Sequence, residues 1–130
     1  MAAPREIAHF PGKAQLDAYG NGGFRFAEMS HRGSILCLPS GVWAWAPTTA
    51  SEINAASLAK AIEEASEIEI FLIGTGDEHV HLDPVLRQTL KDAGLRVDVM
   101  ATGPAARTYN VLFSDKRKVA AALIAVENAR

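Results

Sequence analysis

The pattern of hydrophobic and polar positions changes along the chain from alternation to helical spacing. In the first third, Phe24 and Phe26 flank an arginine, and residues 34–38 form a short apolar run that ends at a Pro-Ser-Gly turn. Alternation is typical of strands with one buried face, and the Gly-Asn-Gly-Gly segment at 20–23 tolerates the positive φ angles of a tight turn. The predicted elements here are a β-hairpin over residues 16–26 and strands over 34–38 and 42–46.

From about residue 50 the apolar residues recur at the spacing of a helix, and strand-like segments then alternate with helix-like ones. Residues 68–73 are apolar at nearly every position, as expected of a strand covered on both faces. Asp83 and Pro84 supply the N-cap and first-turn proline of a helix, and Gly94 supplies its stop signal. The other predicted elements are a helix from about residue 50 to Ala65, a strand over 95–100, a helix capped by Thr102 and a strand over 119–126.

This order of elements predicts one α/β domain with three layers. Strands and helices in alternation require crossover connections, which favour parallel neighbours with helices on the faces of the sheet. We expect a central mixed, largely parallel sheet, with the N-terminal antiparallel β-hairpin as an added layer. The 130 residues suit a single domain. The predicted divisions are an N-terminal arm over residues 1–13, the domain over 14–126 and a C-terminal tail over 127–130.

Composition narrows the class of protein but not its chemistry. A hydrophobic share of 48% and a formal charge of −2 describe an ordinary globular protein and disfavour nucleic acid as a partner. Cys37 is the only cysteine, which excludes an intramolecular disulfide and a multi-cysteine zinc site. The first residues lack the apolar core that is typical of a secretory signal, and no run of the roughly 20 apolar residues that cross a bilayer occurs. We therefore expect no transmembrane segment, a cytoplasmic location and no cofactor.

Two segments carry the strongest sign of a binding site. Gly74-Thr75-Gly76 follows one predicted strand, and the segment 102–110 follows the next. In an open α/β sheet, ligands bind at the loops beyond the carboxyl ends of the strands. Glycines let backbone N–H groups approach an anion, and Arg107 offers a planar guanidinium that suits carboxylate or phosphate. The predicted ligand-binding residues are Gly74, Thr75, Gly76, Thr102, Arg107, Thr108 and Asn110.

Each part of this candidate site also has a structural interpretation. The Gly-Thr-Gly segment lacks the third glycine of a dinucleotide fingerprint and the Lys-Ser/Thr of a P-loop, so a turn is favoured over a pocket. For Arg107 two interpretations are nearly equally favoured: the side chain binds an anion, or it holds its helix to a neighbouring loop or to Asp98. His79 and His81 point the same way in an extended loop and, with nearby aspartates, resemble a metal site; such pairs are common in exposed loops, and we predict no metal there.

Several short motifs occur together in this chain. They are Tyr19-Gly20-x-Gly22-Gly23-Phe24-Arg25, Gly33-Ser34, Trp43 or Trp45, Leu72-Ile73-Gly74-Thr75-Gly76, Pro84-x-Leu86-Arg87 and Thr102-x-x-Ala105-Ala106-Arg107-Thr108-Tyr109-Asn110-Val111-Leu112. Over roughly residues 14–125 the set resembles a small domain of unknown function that is widespread in bacteria and archaea. In eukaryotes that domain is similar to mitochondrial complex I assembly factor three and to an adipogenesis-associated cytosolic protein. The resemblance implies a three-layer α/β fold and a protein-binding role without established catalysis.

Two functional hypotheses follow. The first is a non-catalytic binding domain, an assembly or accessory factor whose partner is a protein of a membrane-associated complex. The alternative is a small-molecule enzyme or anion-binding protein that uses the cleft between Gly74-Thr75-Gly76 and the segment 102–110. An enzyme needs an acid, base or nucleophile, and within these two segments no side chain has an ordinary pKa near neutrality. The residues therefore favour the first hypothesis, with no catalytic residue. A homodimer through edge strands also suits such a fold.

Overall fold

The computed structural model describes residues 10–129 and confirms a three-layer α/β arrangement. Residues 1–9 of the predicted arm and Arg130 of the predicted tail lie outside the described residues, and the division into arm, domain and tail stays a prediction. Short 3-10 turns cover residues 50–52, 56–58 and 65–67. The strands and α-helices are β1 (Ala18–Gly20), β2 (Gly23–Phe26), β3 (Met29–Arg32), β4 (Ser34–Leu38), β5 (Gly41–Trp45), α1 (Ala59–Glu63), β6 (Ile70–Gly74), α2 (Pro84–Asp92), β7 (Val97–Met100), α3 (Thr102–Ser114) and β8 (Val119–Leu123).

The central layer is a five-stranded mixed sheet with the strand order β5-β4-β8-β6-β7. Strand β6 pairs in parallel with both β7 and β8, whereas β4 pairs antiparallel with β8 and β5. The predicted last strand is confirmed as β8, although it ends at Leu123. All five of its residues are buried, because it runs through the middle of the sheet with both faces covered.

Alternate side chains of the sheet enter two separate cores. Phe71 and Ile73 face a core that α1 and α2 cover. Leu72 faces the other core, which α3 and the sheet formed by β1, β2 and β3 cover. None of the helices within residues 10–129 is long and apolar enough to cross a membrane.

The predicted hairpin is confirmed as β1 and β2, but its layer contains a third strand that the sequence did not indicate. Asn21 and Gly22 have φ angles of 52° and 76°, as a tight hairpin turn requires. Strand β3 then pairs antiparallel with β2 after a turn at Ala27 and Glu28, whose φ angles are 48° and 62°. Residues other than glycine, asparagine and aspartate seldom adopt this conformation, so the turn has no sequence signal.

The predicted helix from residue 50 to Ala65 is wrong in its extent, because only α1 is α-helical. Side chains compete with the helix for backbone groups. Asn54 accepts a hydrogen bond from Ser57 N at 2.9 Å, and Ser57 Oγ donates back to Asn54 O at 2.8 Å. Glu52 accepts from Thr48 N and Thr49 N and completes a capping box with Thr49, so a helical turn begins here. That turn ends after three residues, because Ile53 is extended.

The two longer helices begin in different ways. The predicted cap of α2 is confirmed, since Asp83 Oδ2 accepts from Leu86 N at 3.3 Å and Pro84 is the first helical residue. The predicted cap of α3 is wrong: Ala101 is the N-cap, and Thr102 is the first residue of the helix. The Thr102 hydroxyl is turned instead toward the neighbouring loops, where it helps to build the candidate site.

Candidate functional site

The carboxyl ends of the three parallel strands meet at one edge of the sheet, as the sequence predicts. Their loops are joined by backbone hydrogen bonds: Thr75 N to Met100 O at 2.9 Å, Thr102 N to Gly76 O at 2.8 Å and Ile124 N to Gly74 O at 3.0 Å. The cavity beside these loops measures about 30 Å³. That volume is roughly the share of one water molecule in the liquid. The edge is therefore closely packed.

Two threonine hydroxyls occupy this edge and are both fully bonded. Thr102 is completely buried, and its Oγ1 donates to Ile124 O at 2.7 Å and accepts from Gly76 N at 3.0 Å. Thr75 Oγ1 donates to Glu78 O at 2.6 Å and accepts from Val80 N at 3.1 Å. Thr102 thus holds the loops after β6, β7 and β8 together, and Thr75 closes the turn that leads toward α2.

Glycine at 74 and 76 is explained by two different constraints. A Cβ on Gly74 would lie 2.9 Å from the Thr102 Cα and 2.9 Å from Leu123 Cδ2, so a side chain has no room there. Gly76 has a φ of +105°, a backbone conformation that side chains disfavour. The segment brings β6 and α3 into close contact at this point.

Three residues of the Arg-Thr-Tyr-Asn motif in α3 fasten the segment that leads into β1. The Asn110 side chain pairs with the backbone of Leu16, accepting from its N–H at 2.9 Å and donating to its carbonyl at 2.7 Å. The Tyr109 hydroxyl donates to Ala14 O at 2.8 Å. Arg107 Nη1 donates to the Tyr19 hydroxyl at 3.2 Å. The motif therefore joins residues 14–19 to the face of α3.

The predicted site residues divide by exposure. Arg107 is exposed. Thr108 is half-buried, and its hydroxyl lies 3.8 Å from Met100 Sδ. A cavity of about 300 Å³ opens next to Arg107 and Asn110, and Tyr19 also lines it. The geometry thus leaves Arg107 as the predicted site residue with a charged group at the surface.

Replacing Arg107 with alanine is expected to reduce stability by less than about 1 kcal/mol, because the side chain is exposed and its hydrogen bond to Tyr19 is at the surface. If Arg107 takes an anion, the same change abolishes the phosphate- and acetate-induced NMR shifts around the cavity, and Arg107→Lys restores part of them. Urea unfolding measures the first effect. If the Arg107→Ala variant does not fold, and phosphate and acetate cause no NMR shifts in the wild type, the residue serves the fold alone.

Other chemically notable side chains are either buried or in an exposed loop. Burial raises the pKa of Cys37 to about 12, which makes the thiol inert, as expected of a cysteine in the middle of a strand. Burial also raises the pKa of Tyr109. His79 and His81 are exposed and stack edge to face with ring centroids 4.6 Å apart. Within residues 10–129, no group of three His, Cys, Asp or Glu side chains is arranged to hold a metal ion.

The sequence did not indicate a further groove on the described surface. It lies between α2 and β7, measures about 610 Å³ and carries the basic residues Arg87, Lys91 and Arg96. The spacing of Arg87 and Lys91 places both on one face of a helix, which is the signal that was available. That this face borders the open edge of a sheet depends on the strand order.

Comparison with known proteins identifies one family and several relatives that match most of the chain. The family model described as "Protein of unknown function (DUF498/DUF598)" matches residues 16–124. The chain is 37% identical to an uncharacterized protein of Rhodobacter capsulatus over 127 residues, 98% of this chain and 96% of that protein. It is 32% identical over 109 residues to NADH dehydrogenase [ubiquinone] 1 alpha subcomplex assembly factor 3 of Xenopus tropicalis, covering 84% of this chain and 60% of the assembly factor.

The fold is also found among solved structures. The crystal structure of an outer membrane protein from Bartonella henselae superimposes with a TM-score of 0.88 at 50% identity, and the match covers 92% of this chain and all of the other. The match to the Xenopus protein extends over about three fifths of that protein's length. The shared part is therefore the α/β domain itself.

Proposed function

The chain belongs to the DUF498/DUF598 family of proteins of unknown function, and from this membership we propose that it is a non-catalytic protein-binding domain. In this proposal it acts as an assembly or accessory factor for a membrane-associated complex. The observation that carries the proposal is the 32% identity to an NADH dehydrogenase assembly factor over 84% of this chain. A domain that matches an assembly factor over most of its own length is expected to share its way of recognising proteins.

The use of the motif residues supports this proposal. Thr102, Tyr109 and Asn110 are engaged with the backbone of neighbouring segments, so the motif holds the domain in shape. Rigid presentation of a surface is what a binding domain needs, because little ordering entropy is then lost on association. The surface features open to a partner include the groove beside α2 and the cavity beside Arg107.

The compartment in this proposal is the cytoplasm. The single cysteine of the chain, Cys37, is buried and has no disulfide partner, which suits a reducing environment. In this proposal the chain binds its partner at the cytoplasmic side of the complex. A small anionic ligand at Arg107 stays a separate prediction.

Affinity capture from the native organism tests the proposed function. The tagged full chain is expressed at its natural level, membranes are solubilised in a mild detergent, and proteins retained with the chain are quantified by mass spectrometry. We expect subunits of one membrane-associated complex to be enriched over a control in which only the tag is expressed. Retention of nothing beyond the tag control would contradict a protein-binding role.

A further inference from the structure

The groove between α2 and β7 combines three positive charges with an apolar floor. Arg87, Lys91 and Arg96 line it together with Leu95 and Val97, and no acidic residue lines it. The side chains of Arg87 and Lys91 are exposed and form no ion pair or hydrogen bond with another residue in the range 10–129. Two neighbouring cations without a counter-charge raise the local concentration of acidic partners.

Arg96 contributes less of this charge than the other two. It lies close enough to Glu69 to help lower the pKa of that carboxyl, after the larger effect of the hydrogen bond from Arg117. The uncompensated charge in the groove is therefore that of Arg87 and Lys91, which project from successive turns of α2.

The groove runs beside an open edge of the central sheet. Strand β7 is the last in the strand order, and within residues 10–129 no other strand pairs with it on the side away from β6. Arg96 O and Met100 O both accept hydrogen bonds from the β6 side, at 2.8 and 2.9 Å. Because backbone groups alternate in direction along a strand, Val97 and Val99 point their N–H and C=O groups outward. These groups form a template for one more strand.

We propose that an acidic, extended segment of a partner protein adds to β7 as a sixth strand of this sheet. Val97 and Val99 supply the backbone hydrogen bonds, and alternate acidic side chains of the segment lie in the groove against Arg87 and Lys91. Backbone pairing gives such a complex its affinity and the side-chain contacts give it specificity. The inference rests on the proposed function, since it takes the occupant to be a protein, and it names the surface and the chemistry of the partner.

The two faces of β7 make different demands on the added strand. Val97 and Val99 pack partly against the core beneath α2, whereas Asp98 is exposed on the face of α3. A partner strand therefore suits both faces of β7 if its acidic side chains lie on the α2 side and its neutral side chains on the α3 side, since an acidic side chain next to Asp98 would be repelled. Alternation of acidic and neutral residues is therefore the expected sequence of the partner.

Charge favours this occupant over a second copy of the chain. Two β7 strands paired antiparallel are related by a two-fold axis perpendicular to the sheet, so both copies of α2 lie on the same side. Arg87 and Lys91 of one copy would then approach the same residues of the other, with no acid in either groove to separate them. Like charges brought together in this way oppose association.

A defined probe tests the surface directly. The peptide acetyl-(Glu-Val)4-amide is titrated into the isotope-labelled full chain and followed by NMR. We expect shifts at the amides of Val97 and Val99 and along α2, and binding about tenfold or more weaker for the double variant Arg87→Glu, Lys91→Glu. The control Arg25→Glu, Arg32→Glu makes the same change in net charge on the three-stranded sheet and should bind as the wild type does.

Other outcomes identify other occupants and overturn the proposal. Equal binding of acetyl-(Lys-Val)4-amide, or no shift at β7, means that the groove does not select an acidic strand. If inorganic phosphate shifts the α2 amides as much as the peptide does and leaves those of Val97 and Val99 unchanged, the occupant of the groove is a small anion. Dimerisation of the wild type, with concentration-dependent shifts at Val97 and Val99 in the absence of peptide, means a second copy.

A second arm separates failure of this inference from failure of the proposed function. The double variant Arg87→Glu, Lys91→Glu is compared with the wild type in the affinity capture from the native organism. Loss of the captured subunits in the double variant, with retention by the Arg25→Glu, Arg32→Glu control, supports the inference. Equal capture by both variants overturns the β7 surface but leaves the protein-binding function standing, whereas no capture by the wild type contradicts the function itself.

Discussion

Replacing Gly74 with alanine is expected to lower the free energy of unfolding by about 2–3 kcal/mol. The added methyl group would lie 2.9 Å from the Cα of Thr102 and from Leu123 Cδ2, and 3.0 Å from Thr102 Oγ1. Leu123 can rotate away at some cost, but Thr102 is fixed by two hydrogen bonds, from its backbone N–H to Gly76 O and from its hydroxyl to Ile124 O. The clash is therefore relieved only by moving α3 from β6. Urea unfolding followed by circular dichroism measures the loss.

Gly94→Ala is the matched control for this change. Gly94 follows α2 with a φ of +93°, and a Cβ there would meet no atom within 4 Å, so the substitution introduces backbone strain without a clash. Such strain costs about 1 kcal/mol. If Gly74→Ala were no more harmful than Gly94→Ala, the close approach of β6 and α3 would be disproved, and with it the packed edge described here.

Replacing Asn110 with alanine is expected to cost about 2–3 kcal/mol. The change removes two hydrogen bonds to the Leu16 backbone, each worth about 1 kcal/mol, and leaves a half-buried N–H and carbonyl without their partner. Because Asn110 takes the place of a neighbouring strand for Leu16, the segment leading into β1 should also loosen. Urea unfolding gives the stability, and hydrogen exchange of the Leu16 amide reports the local loss.

Gln88→Ala provides the comparison for a surface amide. Its side chain donates to Asp92 Oδ1 at 2.8 Å on the exposed side of α2, and water replaces that bond at little cost. We expect a change below about 0.5 kcal/mol. A similarly small effect at Asn110, with unchanged exchange at Leu16, would show that the α3 motif does not hold the N-terminal segment in place.

The sequence predicts the central sheet and α2 well because their signals are local. Ile70–Gly74 and Val119–Leu123 are apolar on both faces, which is what burial between two layers requires. Asp83 and Gly94 lie at the two ends of α2 and mark them. Strand β3 was missed because its turn uses Ala27 and Glu28, which give no turn signal.

The candidate site is predictable only in part. Parallel strands bring their carboxyl ends together, so the convergence of Gly74, Gly76 and Thr102 follows from the order of elements. The bond between Asn110 and Leu16 spans 94 residues of sequence and leaves no local pattern. The basic groove depends on β7 being the edge strand, and strand order is a property of the whole sheet.

Quantitative affinity capture from the native organism tests the central claim most directly, namely that this chain works by binding a protein. The tagged full chain should retain the subunits of one membrane-associated complex in reproducible proportion, well above the tag control. Retention at the level of the tag control, from both the membrane and the aqueous fractions, would contradict the account.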